Sequence, residues 1–151
     1  MVEWREERAD SPAAVAQLTA YFSSRELGFT GGVYRVVFPS PDAFVPPDGV
    51  FLIVSVDGTD VGCGGIRRLS PSRFEVKHLW LDPTARGQGL GKKLLAELER
   101  RAAAFGASEV VLDTNDSLEA AGGLYRSTGY EVIEPYNDNP NANLWLRRSL
   151  I

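Results

Sequence analysis

Histidine and cysteine are almost missing from this chain of 151 residues, which carries one of each, His78 and Cys63. A lone cysteine forms no intrachain disulfide, so a reducing cytoplasm is the expected setting. One Cys and one His also exclude a structural zinc site of the usual Cys/His kind, and no metal is expected. Long apolar runs are lacking. The longest, from Val50 to Val54, is far short of the roughly 20 residues a membrane-spanning helix needs, so no membrane association is expected. Nor is there an excess of positive charge: Lys and Arg number 16 against 20 Asp and Glu, a net charge of −4. A general electrostatic hold on nucleic acid is therefore not expected, although a local basic patch can still take a small anion. The opening MVEWREERAD is too charged for a secretory leader. With 44% hydrophobic and 24% charged residues, the sequence fits one globular domain over residues 1–151.

What is present is patterned. Ser11 before Pro12 has the form of a helix N-cap and first helical position, with Val15, Leu18, Tyr21 and Phe22 at helical spacing behind it. A weaker strand is expected over residues 2–8. Residues 28–49 hold Pro39, Pro41, Pro46 and Pro47 and read as an irregular segment over one face. Residues 51–56 and 61–68 flank Asp57-Gly58, a hairpin signature. Residues 74–81 alternate Phe74, Val76, His78 and Trp80 against Glu75, Lys77, Leu79 and Leu81. A regular strand sets His78 on the face opposite Glu75. A helix is predicted over 89–105, with Leu90, Leu94, Leu95, Leu98 and Ala102 in one stripe and Gly106 at its C-terminal cap. Then come a strand over 109–112, a helix ending at Gly129, a strand over 130–133 and an edge strand over 144–150. That order predicts an α/β fold, a mixed sheet with helices on its faces.

The segment richest in chemistry is residues 82–92, Asp-Pro-Thr-Ala-Arg-Gly-Gln-Gly-Leu-Gly-Lys, between a strand and an amphipathic helix. Its glycines allow tight turns and close backbone approach, and the helix start offers unpaired N–H groups and a positive dipole end, which suits a phosphate. The Walker loop is excluded, because no glycine stands at its first position. The dinucleotide fingerprint is excluded too, since G-x-G-x-G replaces G-x-G-x-x-G.

Arg86, Gly89 and Gly91 do fall on the R/Q-x-x-G-x-G/A signature of the GNAT acetyltransferase superfamily, which the chain resembles. Residues 75–83, Glu-Val-Lys-His-Leu-Trp-Leu-Asp-Pro, resemble the strand preceding that loop. Residues 124–130, Leu-Tyr-Arg-Ser-Thr-Gly-Tyr, resemble the family's L-Y-x-x-x-G-F/Y. Tyr136-Asn-Asp-Asn-Pro140 followed by Leu144-Trp145 is similar to a small bacterial subgroup with a YNDNP-type motif. The likeness covers about residues 50–150.

It implies a single-domain, mostly antiparallel mixed sheet, acetyl-CoA as cosubstrate, and direct transfer of its acetyl group to a primary amine in a ternary complex. By the same resemblance the amides of Gly87, Gln88, Gly89, Leu90, Gly91 and Lys92 hold the pyrophosphate, with charge added by Arg86 and by Lys92 or Lys93. The strand through Leu79, Trp80 and Leu81 lies along the pantetheine arm, and Tyr125 returns a proton to the leaving thiolate. An alkyl amine has a pKa of about 10, so a base is needed, and Glu75 is the family-like candidate. The family often carries Asn seven residues before the tyrosine. Here that place is Leu118, and Asn115 is the nearby substitute. A homodimer is a further expectation, because dimers are frequent in the family.

For the acceptor, Arg35, Asn137, Asp138, Asn139 and Trp145 are the candidate contacts, Arg35 for a carboxylate. The Asn/Asp loop also reads as a turn without a ligand. His78 reads as structural, and Cys63 as no nucleophile, since direct transfer needs none. Two other functions stay open: a protein lysine or N-terminal acetyltransferase, and a catalytically silent acyl-CoA sensor.

Overall fold

The computed structural model describes residues 1–29, 32–115 and 119–151; Leu118 lies outside them. Among the described residues seven strands form one sheet: β1 (Val2–Glu6), β2 (Gly49–Val56), β3 (Thr59–Arg68), β4 (Arg73–Leu81), β5 (Glu109–Thr114), β6 (Glu131–Val132) and β7 (Leu144–Ser149). Their spatial order is β1-β2-β3-β4-β5-β7-β6. Every neighbouring pair is antiparallel except β4 and β5. The last strand is not the edge expected for it: β7 lies between β5 and β6, paired with β5 from Glu109 to Thr114, and the short β6 closes that side.

Helix α1 (Pro12–Gly28) covers one face and α2 (Leu90–Ala104) the other. The Ser11 hydroxyl accepts from the Ala14 amide at 3.1 Å, as an N-cap should. Strand β2 explains its own unbroken apolar run. Phe51 and Ile53 pack with Leu18 and Phe22 of α1, whereas Val50, Leu52 and Val54 pack with the leucines of α2. A strand buried on both faces shows no polar alternation. The third helix, α3 (Glu119–Ser127), follows β5. Among the described residues no helix is long and apolar enough to cross a membrane.

Two irregularities shape the centre of the sheet. Leu81 and Trp80 pair with Gly62 and Cys63, but Lys77 pairs with Gly65, so β4 holds one residue more than β3 between them. His78, at φ 60°, takes up the extra residue as a β-bulge. A bulge inverts the alternation beyond it. Phe74, Val76 and then Leu79 face α2, while Lys77 and His78, adjacent in sequence, both turn toward α1. His78 thus shares a face with Glu75, contrary to the regular-strand expectation. The second irregularity is that β4 and β5 pair only at Arg73–Glu109, Phe74–Val110 and Glu75–Val111. Past that point the two parallel strands part, and a wedge opens in the sheet.

Candidate active site

One side of the wedge is β4 and its following loop. The Leu79 carbonyl accepts from Arg25 Nη2 at 3.3 Å and the Leu81 carbonyl from Arg86 Nε at 2.9 Å. Both carbonyls thus accept from guanidinium groups. Leu79 and Trp80 are buried with their side chains in opposite cores, so only the strand's backbone faces the opening. After Leu81, Asp82 caps a short 3-10 turn, and Gly87 and Gly89 adopt φ of 80° and 77°. In this left-handed region a side chain is strained, which is why glycine stands there. The turn delivers the chain to the start of α2, where Lys93 N–H to Gly89 O is the first helical bond. The amides of residues 87–92 have no backbone acceptor among the described residues. With exposed Arg86, Lys92 and Lys93 beside them, they form an anion site of the helix-start kind. The residues therefore fit the pyrophosphate of a coenzyme.

Across the wedge stands α3. Leu124 approaches Gly91, where an added Cβ would lie 3.7 Å from Leu124 Cδ2. Tyr125 is 5% exposed, and its hydroxyl has no hydrogen-bond partner among the described residues. Burial pushes the phenol up to about 12.

On the α1 face lies a cavity of about 380 Å³. Its floor holds Lys77, His78 and Asp113, the residues just beyond the last β4–β5 rung, so cavity and wedge adjoin. Asp113 joins two elements: its carboxylate lies 3.6 Å from Lys77 Nζ and accepts from Asn137 Nδ2 at 2.7 Å. Asn137 in turn accepts from the Trp145 indole at 2.9 Å. Glu75 is fully buried behind this floor, accepting from Arg67 Nε at 2.8 Å and from the Tyr136 hydroxyl at 2.5 Å. Burial and the adjacent Glu75 charge hold the Tyr136 phenol far above its ordinary range.

Arg35, Asn137, Asp138 and Asn139 all line the cavity; Trp145 does not, and instead anchors Asn137. Asn137 and Asn139 also accept from backbone amides two residues on, at 3.2 and 3.0 Å, so the turn role is real as well. Asn115 is buried at the end of β5 and donates to the Asn141 carbonyl at 3.3 Å. Arg67, Lys77, Asp113 and Arg25 escaped the sequence reading. Only Arg67 left a usable trace, because the hairpin register that pairs β3 with β4 sets it opposite Glu75.

Cys63 is fully buried, and burial raises its thiol far above the ordinary range, which suits packing and not nucleophilic attack. His78 packs edge-on to Tyr21 at 5.3 Å and to Phe22 at 5.6 Å. Burial, aided by the Lys77 charge, lowers its pKa to about 3. The unfolded histidine titrates near 6.5, so below that pH the unfolded chain binds a proton that the folded chain refuses. Stability should therefore fall as pH drops from 7 to 5, by about 2 kcal/mol from this residue. Urea unfolding at both pH values checks it: the drop should shrink by that amount in His78→Gln, and an unchanged drop would show that the folded imidazole titrates normally. Among the described residues no three His, Cys, Asp or Glu side chains gather as a metal site.

Residues 12–130 match the acetyltransferase (GNAT) family. An uncharacterized N-acetyltransferase of Schizosaccharomyces pombe is 38% identical over 66% of this chain and 62% of its own length, so the match spans under two thirds of that protein. One from Escherichia coli is 32% identical over 83% of this chain and 78% of its own. A Klebsiella pneumoniae protein designated an acyl-CoA N-acyltransferase superposes with a TM-score of 0.82 at 26% identity, covering 100% of this chain and 99% of that one. An Elizabethkingia anophelis GNAT acetyltransferase with acetyl-CoA bound shares the fold, with a TM-score of 0.71 at 16% identity over 99% and 98% of the two chains.

Proposed function

The chain belongs to the acetyltransferase (GNAT) family, and on that footing we propose that it transfers an acetyl group from acetyl-CoA directly to a primary amine, as one of the members with a YNDNP-type motif. The observation that carries this reading is the wedge itself. Its α2 side presents unpaired amides and basic side chains to a pyrophosphate, and its α1 side opens on a cavity floored by Lys77, His78 and Asp113. Two reactants can thus meet from opposite faces at one gap in the sheet, which is what direct transfer requires.

In this reading Arg86, Lys92 and the amides of residues 87–92 hold the pyrophosphate, with Leu79–Leu81 and Asn115 bordering the arm. Acetyl-CoA supplies an activated acyl group. As the amine nitrogen bonds to the acyl carbon, the carbon–sulfur bond breaks. The amine proton passes toward Glu75, and the Tyr125 hydroxyl donates to the departing thiolate. Glu75 stands behind the cavity floor, so its proton arrives through a bridging hydroxyl or water and not by direct contact.

Acetyl-CoA-dependent thiol release over a panel of amines tests the proposal, and turnover with one class of amine is the expected result. Tight acetyl-CoA binding without turnover on any small or peptide amine would favour a silent sensor. Selective turnover on lysine or N-terminal peptides would favour a protein substrate.

A further inference from the structure

Resting on that reading, the cavity's lining also narrows the acceptor: we propose that it is a zwitterionic amine, an amino acid with an aromatic or large apolar side chain. Tyr21, Phe22, Tyr34, Phe38 and Phe44 wall the cavity. Near its mouth Val37 and Phe38 remain 68% and 46% exposed, apolar surface that an apolar substrate body would cover.

The charges decide the rest. Arg67 and Lys77 are neutralised in place by Glu75 and Asp113. Two lining charges, Arg35 and Asp138, have no ion-pair partner among the described residues, and they are of opposite sign. They sit on the two irregular segments that Asn141 ties together, its side chain accepting from the Arg35 amide at 2.9 Å and donating to the Arg35 carbonyl at 2.7 Å. That clamp fixes where the Arg35 side chain leaves the wall. An amino acid brings a carboxylate to Arg35, and an ammonium to Asp138 before its proton is lost. A polyamine would leave Arg35 without an anion and bring more positive charge than the single unpaired carboxylate of Asp138 can match. A simple aromatic amine would leave Arg35 unmatched.

The experiment compares kcat/KM, by thiol release, for phenylalanine, leucine and tryptophan, for their amides, and for phenethylamine and spermidine. At least one amino acid should exceed its own amide by about 10- to 100-fold, the usual worth of a charge-assisted pair to carboxylate. Arg35→Gln should collapse that ratio toward one. A ratio near one in the parent protein, or one that Arg35→Gln leaves unchanged, would overturn the inference while acyl transfer to the amides still stood. A preference for spermidine would overturn it in the same way. No turnover with any of these amines, alongside turnover on some other amine or peptide, would overturn it alone; silence on every small and peptide amine would overturn it together with the acyl-transfer reading.

Discussion

Tyr125→Phe should lower kcat about 100-fold while changing the acetyl-CoA dissociation constant less than about threefold. A hydrogen bond to a developing anion is worth about 1.5–3 kcal/mol, roughly 10- to 100-fold, and positioned general acids give 10² or more. The geometry suits the task. The ring is buried against Tyr130 at 5.6 Å, so phenylalanine keeps the packing, and the hydroxyl spends itself on no other protein group among those described. With its pKa pushed up to about 12, the phenol stays protonated through any practical assay. Its loss should therefore depress the pH–rate profile uniformly, without moving a limb. Single-turnover rates with calorimetry decide it: kcat within threefold of the parent would leave Tyr125 a packing residue.

Glu75→Gln should also cost about 100-fold in turnover, and more than Asp113→Asn, which should cost under about tenfold. Positioned bases contribute 10²–10⁴. Both carboxylates lie near the gap, but their settings differ. Asp113 lines the cavity and is held by Lys77 and Asn137; Glu75 lies behind, held by Arg67 and Tyr136. Glutamine keeps an acceptor for the Tyr136 hydroxyl but removes the charge opposite Arg67, so urea unfolding must accompany the kinetics to separate lost chemistry from lost fold. If Asp113→Asn proved the more damaging of the two with the fold intact, the base would be Asp113.

The elements were legible where periodicity carries them. The leucine stripe of α2, the Asp57-Gly58 hairpin and the capped start of α1 all lie where local rules put them. Position within the sheet was less legible: β7 read as an edge, yet the two-residue β6 lies outside it. A strand that short leaves almost no pattern.

The sequence by itself determined the layered fold, the glycine loop and the place of Tyr125, because each rests on neighbours within a few turns of chain. Backbone angles and helix-start chemistry are local properties. Only the tertiary structure decided how the candidate catalytic and acceptor groups are brought together. The bulge at His78 depends on β3 as much as on β4, and it turned Lys77 and His78 to one face. The clamp of Asn141 on Arg35 spans 106 positions, and Tyr136 reaches Glu75 across 61. No periodicity records contacts of that range, since they follow from where strands part and loops cross after the core has packed.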